Sequence, residues 1–297
     1  MRSVSTGAAR SGVTGCRGSR RCLAILALVV GCASHPAAAQ FYDHDPNDRD
    51  GVPLWDIDPG FKEDVFTFAR VEYTSGRRGW GGGFGRFRGR GGGRWAIDYP
   101  DAELNLGFRL QQMTSMKVNP QAAIVQLTDE KLPQYPFIYI VEPGELVFAE
   151  EEVTALRNYL LNGGFLMIDD FWGVNEWENI HAEMQRVFPD REFVDLPAEH
   201  PVFHCVFDLK QKPQVPGIHV AMQHQFDGVT WERPDARDVH YYGIFDDKQR
   251  MMVIICRNTD LGDGWEREGE SQWYFHEFAE KKAYPMAINI LFYAMTH

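Results

Sequence analysis

The chain has 297 residues, 44% of them hydrophobic, with 42 acidic against 30 basic side chains and a formal net charge of −12. That apolar content over this length supports a full hydrophobic core, so the chain is globular. Its acidic balance repels phosphate backbones and acidic lipid surfaces, which argues against a nucleic-acid-binding or membrane-surface role.

Taken in chain order, residues 1–39 read as a signal peptide. Ser19-Arg20-Arg21-Cys22-Leu23 opens a short apolar run, residues 23–30, and Ala37-Ala38-Ala39 before Gln40 supplies small residues at a cleavage position. The run falls short of the about 20 residues that span a bilayer, so no transmembrane helix is expected in the mature chain. The paired arginines resemble a twin-arginine signal, with Sec export as the other route. Val29-Val30-Gly31-Cys32 resembles a lipobox, which would anchor the protein through Cys32. Release as a soluble periplasmic or extracellular protein is the preferred expectation. Cleavage removes five arginines and no acid, which makes the remainder more acidic still. Of the five cysteines, Cys205 and Cys256 remain, and two buried thiols are expected rather than a disulfide.

Residues 40–64, rich in Asp and Pro, read as an extended arm. Within it Asn47-Asp48-Arg49-Asp50-Gly51-Val52 resembles part of a calcium loop, but it lacks the closing acid and a second copy, which favours a solvated linker. The alternation of "FTFARVEY", residues 66–73, predicts a strand. Residues 75–95 then carry six arginines, ten glycines and no acid. Glycine at this density costs too much ordering entropy to fold alone, so the segment reads first as a flexible loop, with docking of its arginines on its own domain or on an acidic partner as the alternative. Single-strand nucleic-acid binding is the weaker reading in an exported protein. Its glycines do not match the dinucleotide spacing and no Gly-Lys-Ser/Thr occurs, so no nucleotide cofactor is expected.

Asp101 is the predicted N-cap of an amphipathic helix striped by Leu104, Phe108 and Leu110 to Met113. The runs 122–127 and 136–141 predict strands covered on both faces. A helix over 148–162 stops at Gly163-Gly164 before a strand at 165–168. A helix over 176–188, a strand over 192–196, a hairpin turning at 246–250 and an apolar helix over 284–295 follow. Together these predict one α/β domain over residues 65–297: a doubly wound, mostly parallel sheet with an antiparallel flank.

The succession of residues 66–73, residues 139–144, "LRNYLLNGGFLMIDD", "EHPVF", "NTDLGDGWE" and "AINILFYAMTH" resembles the bacterial domain-of-unknown-function family numbered 4159, over residues 65–297. That family is similar to the class I glutamine amidotransferase-like fold, so the resemblance implies a flavodoxin-type sheet and no established activity. It also implies an envelope protein partner, since relatives occur with membrane proteins bearing von Willebrand-type domains and with MoxR-type ATPases. Only a leader and an arm precede the domain here, so such a partner would be recruited separately.

The turn in "NGGFLMIDDFWG", residues 162–173, has no Ser or Cys where many α/β hydrolases carry a nucleophile. Ligands of open parallel sheets bind beyond the carboxyl ends of the strands, which selects Glu142, Asp169, Asp170 and Asp195, together with Asp260, Asp263, Trp265 and Glu266 of the "NTDLGDGWE" loop. Asp169-Asp170 reads either as a metal ligand or acid/base pair, or as a turn cap beside a solvated acid. His200 joins them as a catalytic candidate, although His200-Pro201 also shapes a turn and His204 lies four residues on. Glu142, Trp172, Asp260, Asp263 and Trp265 are the binding candidates; the stretch 260–265 reads as a shaped loop, or else as a platform on which an exposed Trp265 stacks on a glycan or peptide group. "HEFAE", residues 276–280, has Glu280 where the zinc-protease signature needs its second histidine, and Cys256 lacks an elbow. No metal and no cofactor is assigned. The leading expectation is a noncatalytic binding or assembly module of the cell envelope; the alternative is a hydrolase using strand-end carboxylates, with or without metal assistance, on a glycan or peptide.

Overall fold

The structure is a computed structural model, and it describes residues 51–61, 64–76 and 93–297. The expected leader with Cys32, the acidic run 47–50 and most of the Gly/Arg-rich segment lie outside those residues.

In chain order the elements are β1 (Ala69–Val71), α1 (Asp101–Met113), β2 (Ala123–Val125), β3 (Phe137–Val141), α2 (Glu150–Leu161), β4 (Phe165–Asp169) and α3 (Gly173–Val187). There follow β5 (Val194–Asp195), α4 (Ile218–Gln223), β6 (His240–Phe245), β7 (Met251–Arg257), α5 (Leu261–Glu266), α6 (Gln272–Tyr274), π-helical turns over Phe275–Ala283 and α7 (Tyr284–Thr296). The strands form one sheet in the order β2-β1-β3-β4-β7-β6-β5. The first five in that order run parallel; β6 is antiparallel to β7, and β5 to β6. Strand order reverses between β1 and β3, which makes their carboxyl ends the switch point where open sheets place ligands.

Strand alternation divides the core into two layers. Phe137, Tyr139, Val141, Phe165 and Met167 pack with Leu106 and Leu110 of α1, Trp265 of α5 and Ile288 of α7. Ile138, Ile140, Leu166 and Ile168 pack on the other face with Leu156 of α2 and Ile180 of α3. Strands covered on both sides explain the unbroken apolar runs of β3 and β4, every residue of which is buried. Among the described residues no helix is long and apolar enough to cross a membrane.

Several boundaries move from their predicted places. Asp101 is the first helical residue, not the cap: Pro100 stands there, and the Asp98 carbonyl accepts from Ala102 N at 2.9 Å. α3 starts at Gly173, whose φ of +81° a side chain would resist, and this lets the chain turn from β4 into helix three residues earlier than the periodicity suggested. The 192–196 strand keeps two residues, and β1 keeps three, with Phe66 and Ser75 in isolated bridges on either side. Cys205 and Cys256 are both free, Cys256 buried as expected but Cys205 exposed.

One buried charge organises the α1 face. Arg70 of β1 is fully buried and its Nε donates to Glu103 Oε1 of α1. Its Nη1 donates to the carbonyls of Trp95, at 3.0 Å, and Ile97, and the guanidinium lies over the rings of Tyr139 and Tyr99 at 5.4 and 5.7 Å. This pair pins the segment 95–98 across the end of β1. Removing one member of a buried ion pair leaves the other uncompensated, so Arg70→Met is expected to cost about 3–5 kcal/mol in urea unfolding. The double change Arg70→Met, Glu103→Met should recover much of that; a single variant within about 1 kcal/mol of wild type would contradict this role.

Candidate functional site

The acids that converge at the carboxyl edge are placed there by register. β3 and β4 pair Val141 with Asp169, so the next residues, Glu142 and Asp170, leave the sheet side by side. Both sit in the left-handed region, at φ 46° and 55°, as do Asp98 before α1 (63°) and Asn258 after β7 (61°). Left-handed backbone costs energy at non-glycine residues and clusters where side chains must be aimed.

Asp169 is fully buried beneath this edge. Its Oδ2 accepts from Leu261 N at 2.9 Å, Gly262 N at 3.1 Å and Tyr139 Oη at 3.3 Å, which fixes the start of α5 over β4. Asp260 Oδ1 accepts from Asp263 N at 2.7 Å, and Asp263 Oδ2 accepts from Ile218 N at the start of α4. With these helix starts in place, Asp98, Asp170 and Asp260 bring one carboxylate oxygen each within 4.8 Å of one another, and Asp98, Asp263 and Glu266 form a second such triad. At the rim Glu142 pairs with Arg94 at 3.0 Å and Glu176 with Arg233 at 2.6 Å, while Trp172 Nε1 donates to Asp170 Oδ1 at 3.2 Å.

Burial is the largest cause of every carboxyl shift in this cleft. It pushes Asp169 up to about 8 against the backbone N–H groups that favour its anion. Burial, then the neighbouring charge of Asp263, raises Asp98 to about 7. Burial raises Glu142 to about 7 despite Arg94, and Glu266 to about 10, with Asp98 adding to the latter. Asp170 and Asp260 lie well above the ordinary range for the same reason, each raised further by acids around it. The available cation is unevenly shared. Arg267 Nε contacts Asp263 Oδ1 at 3.0 Å and Glu266 Oε2 at 2.7 Å, whereas among the described residues Asp98, Asp170 and Asp260 make no ion pair.

Of the sequence candidates, Glu142, Asp169, Asp170, Asp260, Asp263 and Glu266 meet here. Trp172 is buried but adjoins the site through Asp170. Trp265 is not an exposed platform: the predicted loop is helix α5, whose period turns the indole inward against Tyr139, 5.8 Å between rings, with no exposure. His200 stands apart. Its Nδ1 accepts from Val202 N at 3.2 Å at the start of a turn, and its ring packs on Tyr293 and Phe245; Phe245 pairs with Met251, at the opposite, amino edge of the sheet. Asp195 is held by Lys212 and His240, and His276 and Glu280 form an exposed pair at 2.8 Å. Asp98 was missed, although an acid between the first strand and first helix satisfies the same carboxyl-edge rule; Glu232, which accepts from Gly217 N at 2.8 Å, offered no such signal. A depression of about 600 Å³ between Tyr135, Tyr159 and Gly163 lies at the amino edge, away from these acids.

The family model described as Domain of unknown function (DUF4159) matches residues 67–295. The chain belongs to this family. No curated protein matches it. In this DUF4159 domain the matched span holds every acid of the cleft, from Asp98 to Glu266.

The shifts give the DUF4159 domain a particular pH dependence. A carboxyl whose folded pKa stands above its unfolded value of about 4 keeps a proton that the unfolded chain releases, so its stabilisation is full below about pH 4 and is lost as pH rises through the folded value. For Asp98, Glu142 and Asp169 those values are about 7, about 7 and about 8. Protein stripped with EDTA is therefore expected to melt at lower temperature at about pH 8.5 than at about pH 5.5, and Asp169→Asn to flatten the slope. A Tm that rises with pH across this window would contradict the assignment.

Proposed function

We propose that the protein is an exported hydrolase of the bacterial cell envelope, working through carboxylates at the carboxyl edge of its sheet on a glycan or peptide. The leader features support export. The observation that carries the reading is the meeting of Asp98, Asp170, Asp260, Asp263 and Glu266 in one cleft, with the aspartates at 98 and 170 held in left-handed backbone. Such strain and such burial of acids cluster at working sites. Asp170 stands on the strand-to-helix turn where other α/β hydrolases carry Ser or Cys, half-buried and able to meet a substrate water. Glu266, also half-buried and protonated up to about pH 10, is the proton donor to the leaving group.

A second reading, a noncatalytic assembly module recruiting a von Willebrand-type or MoxR-associated envelope partner, is favoured by one observation: Asp169, Asp260 and Asp263 each spend an oxygen on a helix start. Purified mature protein incubated with bacterial cell-wall sacculi separates the two. Hydrolysis predicts release of reducing ends or free amines, reduced about 10²–10⁴-fold by Asp170→Asn and by Glu266→Gln. Absence of release, with stoichiometric capture of an envelope protein, supports the second reading instead.

A further inference from the structure

We propose that Asp98, Asp170 and Asp260 together bind one hard divalent cation of the Mg²⁺ or Mn²⁺ kind. The inference rests on the reading of this cleft as the working site and specifies how its water is activated. The three carboxylates offer oxygens within 4.8 Å of one another, a spacing that a cation with ligands at about 2.0–2.6 Å bridges. Their donors are oxygens without His or Cys, which suits Mg²⁺, Mn²⁺ or Ca²⁺ and not zinc or copper.

A second observation points to a ligand independently of the clustering. Asp98 is 8% exposed, and its Oδ2 has no hydrogen-bond partner among the described residues. That oxygen faces the bare backbone of Gly262: a Cβ there would stand 2.8 Å from it, 3.0 Å from Tyr139 Oη and 3.5 Å from Asp260 Oδ1. The glycine thus keeps open a cradle in which an unpartnered buried carboxylate oxygen meets two other oxygens. Leaving such a group unsatisfied is costly, and a cation satisfies it.

Charge decides between the two triads. Asp263 already gives one oxygen to Ile218 N and the other to Arg267, which also meets Glu266. Asp98, Asp170 and Asp260 have no cationic partner among the described residues, and only the Trp172 indole and Asp263 N donate to Asp170 and Asp260, so no positive charge there competes with a bound cation. Asp98 and Asp260 are buried and Asp170 is half-buried, so solvent reaches the triad on the Asp170 side, where a water or substrate oxygen on the cation would be polarised. Glu266 keeps its role in proton transfer.

The test uses the full mature chain, stripped with EDTA and titrated with Mn²⁺ by calorimetry. One site is expected in wild type, weakened about 10–100-fold or more by Asp98→Asn, Asp170→Asn or Asp260→Asn, and left within about threefold by Glu266→Gln. Asparagine tolerates left-handed backbone, so the changes at 98 and 170 keep the fold. Should a variant fail to fold, Tb³⁺ luminescence excited through Trp172, which touches Asp170, reads the site in wild type and should be quenched by competing Mn²⁺. Absence of a saturable Mn²⁺ site, or equal loss in Glu266→Gln, overturns the proposal. Hydrolysis that persists in EDTA and vanishes in Asp170→Asn would overturn the cation and leave the hydrolase reading standing; tight Mn²⁺ binding without hydrolysis would do the reverse.

Discussion

Carboxylates withdrawn from water must be neutralised by a proton or by a positive charge, and the carboxyl edge of this sheet is arranged around that requirement. Arg70 answers Glu103, Arg94 answers Glu142, Arg233 answers Glu176 and Arg267 answers Asp263, while Glu266 beside Arg267 is answered by a proton. Once these pairs are made, Asp169 is answered by the N–H groups of Leu261 and Gly262 and Glu232 by that of Gly217, while Asp98, Asp170 and Asp260 remain without a cation among the described residues. The site is thus a ring of acids answered by cations and N–H donors around a centre that has no cation among the described residues. Surface pairs contribute little to stability, but here the pairing determines which oxygens are left over for a ligand.

The fold brings those oxygens together by simple means. Parallel pairing ends β3 and β4 level, so consecutive strand ends present adjacent acids. Left-handed residues at the first position beyond β3, β4 and β7 turn the chain sharply away and leave the edge open. Asp169, the last residue of β4, ties α5 across that edge, and Gly262 within α5 leaves room above Tyr139. Arg70 holds the segment that delivers Asp98 from the other side. A scaffold rigid beneath and strained at its rim is the usual architecture of a site that must hold charge in fixed geometry.

Much of this was legible in the residues. The unbroken apolar runs of β3 and β4 and the helix between them identify a parallel unit, and the carboxyl-edge rule then selects Glu142, Asp169, Asp170, Asp260, Asp263 and Glu266 without coordinates. What was hidden has physical reasons. Asp98 was masked by the glycine-rich stretch before it, where no periodicity marks the return to the sheet. Trp265 looked like a loop aromatic because α5 has six residues, too few for a helical stripe to show. Arg70 is a lone charge in a strand, and its partner Glu103 lies a crossover away in sequence. His200 stood out for the histidine four residues on, but Pro201 starts a short turn there and the chain beyond the two-residue β5 runs back to the amino edge.

The measurement closest to the central claim is anomalous scattering at the manganese edge from crystals of the protein soaked in Mn²⁺. The account predicts one strong peak in the cleft, about 2.0–2.3 Å from oxygens of Asp98, Asp170 and Asp260, above the Gly262 backbone. A cleft without anomalous density while Mn²⁺ occupies surface acids elsewhere, or a peak seated on Asp263 and Glu266 with Arg267 displaced, would contradict it.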